Sequence, residues 1–170
     1  MLIHYEASVI GPSHELQGRS NQDCHCVRVV EEHRAEEAGE AGAPCGDRAV
    51  PVPRRAIIAA VADGVSSMIL SGEGARLASE AAVDAAAEAF ARGELAPGDA
   101  SVLKDVFERA LRAVADAAAN EPAADIASFA CTLCLVVWDG ARVWYGNAGD
   151  SGAIAVDAAG APFALTHLHR

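Results

Sequence analysis

An α+β fold is predicted for this chain by three observations. Apolar or alternating runs that read as strands lie towards both ends of the sequence, and two long alanine-rich stretches with helical periodicity lie between them. The strand-like runs do not alternate one by one with helices, so a doubly wound parallel sheet is not expected. At 170 residues, 52% of them hydrophobic, the chain has the length of one domain and can bury a real core.

Taken in order, Tyr5 to Ile10 alternates like a strand and Gly11-Pro12 breaks it. Gln22 to Val30 is a second strand candidate. Glu31 to Arg48 carries Glu31, Glu32, Glu36, Glu37 and Glu40 among alanines and glycines, with Pro44 and Gly46. It has almost nothing to bury, so residues 31–55 are read as a mobile, acidic hairpin insertion in a single domain spanning residues 1–170. Limited proteolysis should cleave first between Glu31 and Arg48; survival of that segment at doses that digest the rest would overturn the reading.

Pro51-Val52-Pro53-Arg54-Arg55 then leads into a buried strand from Ala56 to Ala62. A helix is expected from about Gly72 to Ala91. Arg76, Glu80, Asp84 and Glu88 recur every four residues on its wet face, and Ala78, Ala82, Ala85 and Ala89 lie opposite. A second helix, about Val102 to Ala119, should bury Leu103, Val106, Phe107, Ala110 and Val114; Asp99 or Ser101 can cap its start, and Pro122 lies past its end. A meander should close the chain: Phe129 to Trp138, an Asp139-Gly140 turn, Arg142 to Asn147, Gly152 to Val156, and Pro162 to Leu165.

Composition excludes several functions. The net charge of −11 argues against nucleic-acid binding, which needs basic surface. No apolar run approaches the ~20 residues of a membrane helix. Met1 to Glu6 lacks the basic start and apolar region of a signal peptide, so a cytoplasmic protein is expected. Five cysteines are then most simply reduced thiols. Cys24 and Cys26 with Cys131 and Cys134 offer a CxC and a CxxC, from which a zinc- or thiol-based domain can be imagined. Strand geometry points Cys131 and Cys134 to opposite faces, and packed core cysteines are the better reading.

The stretch with most chemistry is Ala59-Ala60-Val61-Ala62-Asp63-Gly64-Val65-Ser66-Ser67. An apolar strand that stops on a carboxylate delivers its charge to one point at the rim of a sheet, and the adjoining glycine lets a carbonyl approach the same point. Carboxylate and carbonyl are hard donors suited to Mg²⁺ or Mn²⁺. Asp-Gly also ends strands in plain turns. Two more strand-associated acids are Asp23, after Gly18-Arg19-Ser20-Asn21-Gln22, and Asp150, in Gly146-Asn147-Ala148-Gly149-Asp150-Ser151.

In this order these pieces, with Gly74-Ala75 and the Thr132 strand, resemble the first half of a type 2C metal-dependent protein phosphatase of a bacterial-like branch, from about Ala7 to Leu165. The resemblance implies an antiparallel β-sandwich flanked by helices, here C-terminally incomplete. It implies hydrolysis of phosphoserine or phosphothreonine in a phosphoprotein substrate by a metal-activated water, with a cognate serine/threonine kinase as partner. Asp63 would bridge two Mg²⁺ or Mn²⁺ ions, the Gly64 carbonyl would bind one, Asp23 would bind through a metal-held water, and Asp150 would support the centre. Asp63 and Asp23 would thus be the catalytic residues. Asp150 can instead merely turn a hairpin. Arg19, or His14 as runner-up, would contact substrate phosphate, although Arg19 can also be an ordinary surface arginine.

The pattern departs from the family in places. Gly18 holds the usual basic position, with Arg19 one step late; Gln22 stands for Glu, and Gly152 for Arg. The later metal-binding aspartates are expected to be missing beyond Thr166-His167-Leu168-His169-Arg170, where His167 and His169 read as exposed tail residues. Apolar surface along Phe129 to Val137 or Ile154 to Val156 should then lie uncovered. The alternative function is a catalytically dead phosphatase-like binding module that holds a partner with its sheet edge or acidic insertion.

Overall fold

Strands and helices follow each other as α1 (Pro12–Leu16), β1 (Cys24–Glu31), β2 (Arg55–Ala62), α2 (Ser71–Ala91), α3 (Ser101–Ala119), β3 (Leu133–Trp138), β4 (Val143–Ala148), β5 (Ile154–Val156) and β6 (Pro162–Ala164), with a 3₁₀ turn at Ile126–Phe129. The computed structural model describes residues 5–10, 12–16, 18, 20–32, 54–122 and 124–166. Most of the acidic insertion therefore lies outside the described residues, as do Arg19, His167 and His169.

The expected α+β class is what forms. β1 to β4 make one antiparallel sheet in the order β1-β2-β3-β4, with Cys24 opposite Ala62, Val61 opposite Cys134, and Leu133 opposite Ala148. The two-residue strand period sends Ala56, Ile58, Ala60 and Ala62 of β2 to one face, all at 1% exposure or less, whereas Val61 on the other face is 52% exposed. Leu133, Leu135 and Val137 of β3 and Trp144 of β4 share the covered face.

Helix α2 packs across β1 and β2, and α3 packs on α2. The alanine stripe of α2 is buried as expected, through Ala75, Ala78, Ala82, Ala85, Ala86 and Ala89. Small side chains let helix and sheet backbones approach closely, and Val83 and Phe90 fill what remains. The wet face is held by ion pairs, Arg76 with Glu73 and Glu80 at 2.6 Å each, and Asp84 reaches Arg28 of β1 at 2.6 Å. In α3, Val106, Ala110 and Val114 are buried and Leu103 and Phe107 are partly buried, so the predicted stripe holds. The Asp99 carboxylate accepts the Ser101 N–H at 2.8 Å at the start of that helix.

Several expectations need correction. Tyr5 to Ile10 is not a strand; Tyr5 and Val9 are 94% and 81% exposed, because alternation without a neighbouring strand gives no ladder. Pro12 opens the short helix α1, where its fixed φ suits a first turn. Phe129 belongs to the 3₁₀ turn, capped by the Asp125 carboxylate on the Ser128 N–H, and β3 begins only at Leu133. The meander stops at β4. Gly149, at φ +92°, turns the chain away, and β5 pairs with β6 in a separate two-stranded sheet.

Apolar exposure also falls differently. Leu133, Leu135 and Val137 are buried because the odd-numbered positions of β3 face the helices, and Phe129 is buried in the 3₁₀ turn that packs on α2. Ile154 and Val156 are exposed, as expected. The remaining exposed apolar side chains include Val29, Val61, Trp138, Val143 and Tyr145, on the sheet face away from α2.

One polar knot ties the far end of this sheet. Arg54, just before β2, bonds Asp139 of the β3–β4 turn and reaches Glu32 at 3.3 Å, with its guanidinium 5.5 Å from the centre of the Phe90 ring. Burial raises the Asp139 pKa, but the Arg54 hydrogen bond and the N–H groups of Ala141 and Arg142 outweigh it, leaving the carboxyl below its ordinary value.

Candidate functional site

The strand register carries one row of residues across the opposite end of the sheet. One rung past Cys24–Ala62 stand Asp23 and Asp63, and one rung past Leu133–Ala148 stand Thr132 and Gly149. The row is locked by backbone bonds. The Gly64 N–H donates to the Gln22 carbonyl at 3.2 Å, the Thr132 N–H to the Asp63 carbonyl at 2.8 Å, and the Val65 N–H to the Ala130 carbonyl at 3.0 Å.

Gly64 is dictated by space. A Cβ there would lie 2.7 Å from the Gln22 carbonyl oxygen and 2.9 Å from the Ser71 carbonyl. Any side chain would therefore push the β1 approach and the start of α2 off Asp63. Asp63 itself is exposed while Gly64 is buried, which is the strand-end presentation that the sequence predicts.

Asp23 and Asp63 share a cleft of about 280 Å³ with Ser8, His25 and Val61. The approach to Asp23 is organised by Asn21, whose Oδ1 accepts the Asp23 N–H at 3.2 Å and whose amide donates to the Ser8 hydroxyl at 2.6 Å. Gln22 donates from its amide nitrogen to the Met68 carbonyl at 3.3 Å. An ionised glutamate has no proton to give that carbonyl, so glutamine fits the local bond and removes one negative charge from the site.

Asp150 is not brought into this cleft. It is exposed and follows Gly149, outside the residues that line the acid pair. His14 lies on α1, and its side chain and Arg19 lie outside the described residues.

Two residues join the site that sequence reasoning did not assign. His25 faces the cleft two residues after Asp23, with Nε2 3.5 Å from a Glu6 oxygen; strict strand alternation from Asp23 points to it. Thr132 accepts the Asp63 N–H on Oγ1 at 3.0 Å, and its hydroxyl pairs with that of Ser151. Only the cross-strand register reveals that contact.

The residue types suit a hard cation: Asp23 and Asp63 both line the cleft, and Gly64, which follows Asp63, lies just outside its lining. Two monoanions balance one divalent ion and not two. Among the described residues, no group of three or more His, Cys, Asp or Glu side chains is gathered for a metal.

The four-thiolate zinc arrangement fails on geometry. β2 separates Cys24 and Cys26 from β3, which holds those strands roughly 10 Å apart, and Cys134 pairs in register on the face away from Cys24. Burial raises the pKa of Cys26, Cys131 and Cys134 above the ordinary thiol value, so these sulfurs are poor nucleophiles.

The family model described as Protein phosphatase 2C matches residues 34–170. The matched segment contains Asp63, Gly64, Thr132 and Asp150, and it begins past Asp23. No curated protein and no solved structure matches the chain.

Proposed function

Because the chain belongs to the protein phosphatase 2C family, we propose that this phosphatase-like domain binds a single Mg²⁺ or Mn²⁺ through Asp63, Asp23 and the Gly64 carbonyl. In this reading it acts on phosphoserine or phosphothreonine in phosphoprotein substrates, with low turnover. The observation that carries the proposal is the register that sets Asp23 opposite Asp63 at the rim of one cleft.

When bound, the ion supplies positive charge to phosphate oxygens and lowers the pKa of a water molecule. The chain's own residues do the rest. The Gly64 approach and the Asp63 backbone bonds fix where the carboxylate sits. Asn21 orients Asp23, and Val61 forms an apolar wall beside the acids. Arg19 or His14 is proposed to steer the incoming phosphate. Asp150 is proposed as an accessory acid rather than a ligand of this ion, since it lies outside the cleft lining.

The catalytically dead binding module remains the second reading, favoured by the charge balance. Two carboxylates and a neutral Gln22 support one dication where the resemblance implies two. A cytoplasmic setting belongs to the proposal as well, supported by free thiols at Cys24, Cys26, Cys131 and Cys134, and a cognate kinase is proposed as partner on the family resemblance alone.

Replacing Asp63 with Asn keeps the shape and removes the charge that a hard cation needs. Mn²⁺ titration should show weak one-to-one binding by the wild type and its loss in Asp63→Asn. Hydrolysis of a phosphoserine peptide with saturating Mn²⁺ should be slow in the wild type and absent in the variant. Equal Mn²⁺ affinity in the two proteins would overturn the site. Binding without any hydrolysis would select the dead-module reading.

A further inference from the structure

The hydroxyl pair Thr132–Ser151 is a polar cluster at the sheet rim to which the site reading gives no task. Thr132 touches Asp63 twice, giving its N–H to the Asp63 carbonyl at 2.8 Å and taking the Asp63 N–H on Oγ1 at 3.0 Å. With its remaining hydrogen-bonding capacity Oγ1 meets the Ser151 hydroxyl. Its methyl side is fitted as closely: a Cβ on Gly149 would lie 2.8 Å from Thr132 Cγ2. Gly149 is at φ +92°, a conformation that other residues rarely adopt, so the turn after β4 is shaped to let this threonine in.

We infer that Thr132 is the positioning residue of the Asp63 site, and that Ser151 acts through it to couple the Gly149-Asp150-Ser151 turn to the metal-binding strand end. This rests on the reading that Asp63 binds the ion. The physical reason lies in where β2 stops. At Asp63 the ladder to β1 has run out of paired rungs, and the strand end is held by the Gly64 bond to Gln22 on one side and by Thr132 on the other. Without the threonine oxygen the Asp63 N–H turns to water, because Asp63 is exposed. The carboxylate then samples more directions than a cation can use. Outer partners of this kind typically change metal affinity by 10–100-fold.

The chemistry separates the role from simple packing. Thr132→Val preserves shape and the Gly149 contact but deletes the oxygen. Thr132→Ser keeps the oxygen and deletes the methyl. Ser151→Ala leaves Thr132 intact and removes only its partner. Mn²⁺ binding, read from the loss of the free-ion electron spin resonance signal, should weaken about tenfold in Thr132→Val. It should weaken by less than that in Ser151→Ala and stay near wild type in Thr132→Ser. Amide exchange at Asp63 in the metal-free protein should accelerate in Thr132→Val, while that of Ile58 and Ala60 stays unchanged.

If Thr132→Val fails to fold, Ser151→Ala and Thr132→Ser still decide. Serine weakened as far as alanine at 151, or wild-type binding in both, overturns the inference. Wild-type Mn²⁺ affinity in a folded Thr132→Val, in a protein whose Asp63→Asn variant has lost binding, overturns this inference alone. Absence of Mn²⁺ binding in the wild type overturns the site reading and this inference together.

Discussion

Gly74→Ala is expected to destabilise the domain by about 2–4 kcal/mol, against a helix propensity that favours alanine by about 1 kcal/mol. Gly74 lies in the first turns of α2, where an exposed glycine would be improved by alanine. Here the backbone of the 3₁₀ turn runs against the helix, and a Cβ on Gly74 would sit 1.9 Å from the Phe129 carbonyl oxygen and 2.8 Å from its carbon. No flexible side chain can absorb that overlap; the backbone must move. Gly72, two residues earlier, is the internal control, since its nearest contact would be 3.4 Å, from Gln22 Cα.

Thermal unfolding should therefore fall by about 5–15 °C for Gly74→Ala and stay level or rise slightly for Gly72→Ala. A Gly74→Ala midpoint equal to wild type would mean that Phe129 does not press on α2. The displacement also reaches the site. The 3₁₀ turn leads through Ala130 and Cys131 to Thr132, and the Ser128 and Ala130 carbonyls accept the N–H groups of Leu70 and Val65. Loss of stability should thus come with weaker Mn²⁺ binding.

Arg54→Met should cost about 2–4 kcal/mol near neutral pH. Methionine keeps an apolar stem for Phe90 but leaves the Asp139 side chain, 4% exposed, and the Glu32 side chain, 11% exposed, without their guanidinium. A buried carboxylate stripped of its cation costs several kcal/mol, and Asp139 retains part of its compensation from the N–H groups of Ala141 and Arg142 at 2.9 and 2.7 Å.

The pH dependence follows from sign. The Asp139 pKa is lowered in the folded protein, so its contribution is fully present above the ordinary aspartate pKa, about 3.9. It is lost as pH falls from there through the lower folded value. Chemical denaturation of wild type and Arg54→Met should differ most at neutral pH and converge below about pH 4. A stability gap that widens on acidification would show that the Arg54–Asp139 pair does not carry the effect.

Sequence and structure divide the account along the range of the interactions. Periodicity located α2, α3 and β2 closely, because helix and strand periods are written in neighbouring residues and the alanine stripe of α2 has one place to go. The strand end at Asp63-Gly64 was legible for the same reason, since an apolar strand ending on Asp-Gly is a local pattern. Tyr5 to Ile10 alternates as well as β1 does, yet forms no strand, because pairing depends on a neighbour that alternation does not name.

The break after β4 was illegible for a similar reason. The strand-like run of Gly152 to Val156 is real, but Gly149 at positive φ decides that it joins β6 rather than β4.

By itself, then, the sequence determined the α+β class, the two helices and their buried faces, and the family to which the ordered motifs point. Only the tertiary structure decided which of the three acids meet. Asp23 and Asp63 are 40 positions apart in sequence and stand on facing rungs, while Asp150 stays outside their cleft. It also decided that Thr132 holds the Asp63 backbone and that Gly74 must lack a side chain. These are contacts between residues tens of positions apart, fixed by strand register and by how closely two backbones approach. Neither quantity is carried by composition or periodicity within one segment.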